Sequence, residues 1–195
     1  MKSVLISIQP YWVFLIIAKV MGWKIDKEKT IEVRKTIPKD ENWNKVVKIY
    51  CSKDRSSFSR IPKEYQPLME RFLGKVIGEF VCKRCEVFSI SSASMRVLSA
   101  LSLVPAPELY GYANGKSLHG WEISDLIIYD EPKPLSHLSC ECKHFDTDSD
   151  SFCYGCPYFY EESNESVGYY SECLVDGYIP IKKPPQSWCY VVEMK

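Results

Sequence analysis

From Ser139 to Lys183 the chain all but stops supplying aliphatic side chains, while Cys, Tyr, Asp, Glu and Ser accumulate. Ordering a residue costs about 1–2 kcal/mol of backbone entropy. A stretch this poor in apolar area cannot offset that cost alone, so the core must come from the rest of the chain and something else must hold this segment. Of the 195 residues, 46% are hydrophobic and 26% charged. That excludes wholesale disorder and suffices for one good core with a small appendage.

The remaining sequence reads as short strands with a few helices. Val4 to Ile8 predicts a first strand, and Pro10 is well placed as the first residue of a helix. Val13, Ile16, Ile17 and Val20 recur at helical spacing and predict one buried face, with Gly22 as the stop. Thr30 to Thr36 alternates, so Ile31 and Val33 share one face while Glu32 and Arg34 share the other. Val46–Cys51 and Val76–Val87 are rich in β-branched and aromatic residues and predict two more strands, the first followed by a polar, basic connection over Ser52–Lys63. Ser91–Val104 is helical by its Met95, Leu98 and Leu101 or Leu103 spacing, although its serines weaken the pattern. Pro107–Asn114 predicts a short helix. Trp121–Tyr129, ended by Pro132 and Pro134, and Trp188–Glu193 complete the strands.

No membrane span is expected, because the most apolar run, Tyr11–Ala18, is far short of the roughly 20 residues a helix needs. Gln9 and Pro10 also break any secretory leader pattern, which points to the cytoplasm. Charge is balanced overall, 25 basic against 25 acidic side chains. The balance is uneven along the chain: residues 1–84 hold 18 basic and 9 acidic groups, and the later residues hold 7 and 16. A partner senses the local field, so neutrality does not exclude an anionic one.

Nine cysteines, six of them between Cys140 and Cys189, do not suggest an evenly paired disulfide framework in a reducing compartment. Cys153 and Cys156 form a Cys-x-x-Cys knuckle around Gly155. With Cys142 and Cys173 they make a set of four thiolates suited to a structural zinc ion, which leaves no open position for catalysis. Cys140 or His144 replacing one ligand, or simply reduced thiols in a loop, are the alternatives. Cys82 and Cys85 are spaced alike, but inside a strand pattern they point to opposite faces.

Lys27-Glu28-Lys29-Thr30-Ile31-Glu32-Val33-Arg34 is the other constellation. On a strand, Glu32 and Arg34 project together with Lys29 at its entrance. Taken alone, this is either a functional surface or a solvated face with an ion pair worth roughly 0–1 kcal/mol. The segment resembles the G-x-K-x-x-E-x-R signature of the ASCH domain, a PUA-like β-barrel, with Lys29, Glu32 and Arg34 in register. Lys27 stands at the motif's glycine. Ser7-Ile8-Gln9-Pro10-Tyr11, Ile49-Tyr50-Cys51-Ser52-Lys53, Gly74–Phe80 and Pro184–Tyr190 extend the likeness to ASCH-type proteins of prophages and gut bacteria.

The resemblance implies an α+β fold, a small mixed or antiparallel PUA-like barrel with flanking helices. The barrel would span residues 1–135 plus 184–195, and a cysteine-rich, metal-stapled insertion or cap would span 136–183. It also implies RNA or nucleotide binding in a cleft lined by Lys29, Thr30, Glu32 and Arg34. Ser52, Lys53 and Arg55, with Lys24, Lys27 and Lys48 near by in sequence, would attract phosphate, and Tyr50, Trp121 or Trp188 would stack a base. The alternative is a small hydrolase, an amidohydrolase on modified cytidine or a ribonuclease, with Lys29 and Glu32 as the reacting pair. Amidohydrolase members carry a threonine where Glu32 stands.

Overall fold

The computed structural model describes residues 2–38, 44–142, 159–164, 168–173 and 177–193, the two short segments 159–164 and 168–173 by their backbone alone. The order is β1 (Ser3–Ile8), α1 (Pro10–Ile17), β2 (Ile31–Arg34), β3 (Lys45–Cys51), α2 (Gln66–Phe72), β4 (Lys75–Cys82), β5 (Cys85–Phe88), α3 (Ser92–Ser102), α4 (Ala106–Ala113), β6 (Leu118–Glu122), β7 (Ser124–Pro134), β8 (Leu138–Glu141), β9 (Phe159–Asn164), β10 (Gly168–Cys173), β11 (Tyr178–Pro180) and β12 (Trp188–Glu193). The fold is α+β. A mixed seven-stranded sheet runs β11-β8-β12-β1-β3-β4-β7, a three-stranded sheet runs β2-β6-β5, and β9 and β10 form a hairpin. The described strands do not close into a barrel.

β1 lies at the centre, parallel to β3 and antiparallel to β12. The parallel pairing needs a crossover, and α1 begins it. The expected single apolar face of α1 is too narrow: Val13, Phe14, Leu15, Ile16 and Ile17 are all buried, whereas Val20 lies beyond the helix and is exposed. The sheet covers one side of α1, and Phe58, Ile61, Met69 and Phe72 of the following connection and α2 join the same cluster. Each buried side chain of this size contributes about 1.5–3 kcal/mol.

Two predicted strands are each divided. Val76–Val87 breaks at Lys83 and Arg84 into β4 and β5, which belong to different sheets, so Cys82 and Cys85 also fall on separate strands. Their thiols are pushed up to about 12 and about 11, chiefly by burial, and are protonated at neutral pH. Trp121–Tyr129 breaks at Ile123, beside the left-handed Asp125 (φ 47°), and β7 then runs on through Pro132 to Pro134. As an edge strand it tolerates the missing donors. Helix α3 does form, capped by the Ser91 hydroxyl, which accepts from the Ser94 N–H at 3.3 Å. Within 136–183, β8 and β11 pair with each other, and β8 also pairs with β12, extending the main sheet.

Ile31 and Val33 pack into a second cluster with Phe88, Met95, Leu98, Leu109 and Leu118, under α3 and α4. Gly120 permits this: a Cβ there would stand 2.7 Å from the Phe88 ring and 2.9 Å from Ile31. With that face of β2 filled, Glu32 and Arg34 are turned toward the seam between the two sheets.

Candidate functional site

The loop before β2 is pinned to the end of α3. The Thr30 N–H donates to Leu101 O at 3.0 Å and the Lys29 ammonium to Ser102 O at 2.9 Å. These are among the last carbonyls of the helix, where the dipole is negative and a cation is favoured. Leu103 then leaves the helix in the left-handed conformation (φ 58°), and α4 follows.

Lys29, Glu32 and Arg34 are only 2%, 7% and 6% exposed. The face that could have been a solvated ion pair is instead the floor of a cleft. Glu32 sits between two cations, 3.0 Å from Arg34 and 3.4 Å from Lys29. Arg34 also donates to Ser7 O at 2.9 Å, at the end of β1, and so bridges the sheets. Burial pushes the Lys29 pKa below the ordinary lysine value and the like charge of Arg34 adds to this, while the Glu32 carboxylate opposes both. With Lys29 protonated, the triad sets two cations against one carboxylate in a poorly hydrated place. The Arg34 Nε, also buried, has no hydrogen-bond partner among the described residues.

The cleft above this floor has a volume of about 310 Å³. Its walls are Ser7–Gln9 and Trp12 on one side and Val104, Glu108 and Tyr112 on the other, with Gln186 at the rim. Burial raises the Tyr112 pKa, so its phenol stays neutral. Gln9 donates to Asp54 at 3.0 Å, which ties the 52–56 loop to the same rim.

The other expected site residues are dispersed. Thr30 is exposed and bonded to Leu101, outside the cleft lining. Tyr50 is 4% exposed and packs with Leu5, Val76 and Val191 on the opposite sheet face. Trp121 is fully buried in the main core, opposite Glu32 in the β2–β6 register, so no base can reach its ring. Trp188 is half-buried, donates to Thr36 at 3.0 Å and packs edge-on to Tyr190. Ser52 and Lys53 lie in the rim loop, Lys53 exposed. Arg55 is gripped by both oxygens of Glu70 at 2.6 Å, and Lys48 lies on the far face between Glu79 and Glu193, so neither adds to the cleft's field. Sequence reasoning missed Trp12, Glu108 and Tyr112. Trp12 adjoins the Gln9-Pro10 signal, but nothing in the sequence singles out Glu108 or Tyr112. The side chains of Cys153, Cys156 and Cys173 lie outside the described residues. Cys142 follows β8, and no metal-ligand cluster occurs among the described residues.

A solved structure of an alanine-substituted variant of the ASCH protein from Zymomonas mobilis matches 96% of this chain and 87% of its own, with a TM-score of 0.52 at 14% identity. The fold is that of an ASCH domain. The structure of the unsubstituted Zymomonas mobilis ASCH protein covers 68% of this chain and 73% of its own at 18% identity, with a TM-score of 0.45. A phenylalanine-substituted variant covers 69% and 77% at 15% identity, with a TM-score of 0.47. No protein-family model and no curated protein matches the sequence. The ASCH fold rests on structural likeness alone. No helix among the described residues is long and apolar enough to cross a membrane.

Proposed function

We propose that the cleft binds a nucleotide unit of RNA, with its phosphate or another acceptor at the Arg34–Lys29 end and its base between Trp12 and Tyr112. The observation that carries this is the buried triad: two anchored cations share one carboxylate, and the unpartnered Arg34 Nε still needs an acceptor. A volume of about 310 Å³ suits one nucleoside, at the small end of ligand pockets, which run from about 300 Å³. Calorimetric titration with nucleoside monophosphates at low salt tests the reading. Binding that weakens with salt and is lost in Arg34→Ala supports it; no binding by the folded wild type rejects it.

Glu108 favours a second reading, hydrolysis of a modified nucleoside. It supplies a carboxylate in the same cleft as Lys29, whose proton is loosened by burial. A carboxylate or amine there could deprotonate water for attack on an amide carbonyl, with Arg34 facing the oxyanion. Turnover abolished by Glu108→Gln, with binding retained, is the expected signature.

A structural zinc ion held by Cys142, Cys153, Cys156 and Cys173 is a separate proposal. Besides the spacing, two backbone contacts support it. Cys173 pairs with Phe159, three residues past Cys156, and the Cys142 N–H donates to Gly177 O at 2.6 Å, four residues past Cys173.

A further inference from the structure

Two cavities meet at the start of α1. Trp12 and Val104 border the cleft described above. Tyr11, Leu103 and Pro105 border a wider, shallower cavity of about 670 Å³, whose rim also carries Lys27, Arg96 and Asp26. Tyr11 and Trp12 are chain neighbours, as are Leu103, Val104 and Pro105, so a single ridge divides the two cavities. Arg60 lies over that ridge, its guanidinium carbon 3.9 Å from the Tyr11 ring centre and 4.9 Å from that of Trp12.

Three observations set Arg60 apart from a surface arginine stacked by chance. It is exposed and has no carboxylate partner among the described residues, whereas Arg55 in the same connection is committed to Glu70. The rings beneath it are anchored: Tyr11 is 5.0 Å from Trp12 and 6.4 Å from Phe14, which stacks on Trp23 at 5.3 Å and packs at a tilt against Tyr65 at 5.5 Å. The rim beyond it is cationic, Lys27 and Arg96 against Asp26. A guanidinium held over fixed aromatic rings offers a planar face to a base and N–H groups to a phosphate, with little freedom left to lose on binding.

We infer that the ridge is a second nucleotide subsite, and that the ligand is a single strand of at least two nucleotides passing from the triad cleft over Arg60 toward Lys27 and Arg96. The inference rests on the nucleotide reading of the cleft and goes further in requiring a polymer. A mononucleotide would fill the cleft and leave the ridge unused.

The test compares uridine and adenosine monophosphates with the matching tetranucleotides, titrated calorimetrically into the full chain at low salt. Stacking of one base is sufficient for about a tenfold gain, so the tetranucleotides should bind about tenfold tighter than the monophosphates. Arg60→Ala should shrink that advantage to about threefold or less, and Arg60→Lys, which keeps the charge but not the planar face, should recover only part of it. Arg96→Ala should lower the dependence of tetranucleotide binding on salt. Tetranucleotides no tighter than monophosphates, or an undiminished advantage in Arg60→Ala, would overturn the second subsite while leaving the cleft reading intact. Failure of every ligand to bind would overturn both.

Discussion

Replacing Glu32 by Gln removes the only charge that the triad places between its two cations while preserving shape. Lys29 and Arg34 would then face each other across a neutral amide, both almost wholly buried. Breaking a buried ion pair from one side costs about 3–5 kcal/mol, because the surviving charge is left without compensation. For a chain of this length that is a fall in Tm of about 10 °C. The loss should depend on pH. The folded-state pKa of Lys29 already lies below the unfolded value, so the folded protein releases this proton more readily than the unfolded chain does. Stability from this group therefore rises as pH climbs from the folded toward the unfolded pKa, and is absent below both. Glu32 is what opposes the depression, so Glu32→Gln lowers the folded pKa further and widens that window downward. Urea unfolding between pH 6 and 9.5 should show Glu32→Gln far less stable at pH 6 and recovering toward alkaline pH, and Lys29→Met in the same background should abolish the recovery. A loss under 1 kcal/mol with no pH slope would refute the dry, over-cationic floor on which the proposed function depends.

Gly120→Ala should lower stability by about 1–3 kcal/mol in thermal melts, since the new methyl collides with Phe88 and Ile31 beneath β2. On the opposite face, burial works to raise the Glu79 pKa but hydrogen bonds from Lys48 and Tyr129 hold it low, and Lys48 also lowers that of Glu193, so the stability they supply is present above the ordinary glutamate value and lost as pH falls through their folded values. Lys48→Met should flatten that acid limb in a pH series of melts; an unchanged limb would place the acid sensitivity elsewhere. Metal analysis of purified protein should find one zinc per chain, released on Cys156→Ser, and a metal-free chain with all thiols titratable would reject the four-thiolate site.

The local elements were largely legible. The apolar run of β1, the proline opening α1 and the β12 run at the end of the chain each follow from rules that act within a few residues, whereas the serines that weaken the α3 pattern include the one that caps it. The breaks inside 76–87 and 121–129 were not, because both halves share one strand-forming composition and only the separation into two sheets distinguishes them. Lys29, Glu32 and Arg34 could be picked out by spacing, but spacing allowed a solvated face as readily as a cleft floor. What removed solvent was tertiary: the end of α3 receiving Lys29, the end of β1 receiving Arg34, and α4 closing the far wall. The aromatic partners show the same division. A sequence marks Tyr50, Trp121 and Trp188 as able to stack on a base, yet strand parity sends Tyr50 to the other face and the β2–β6 pairing seals Trp121 into the core. Trp12, Tyr112 and Glu108 reach the cleft from helices distant in sequence. Periodicity determines which face of an element is apolar; which neighbours that face meets, and therefore which polar groups lose their water together, is decided only when the sheets close on one another.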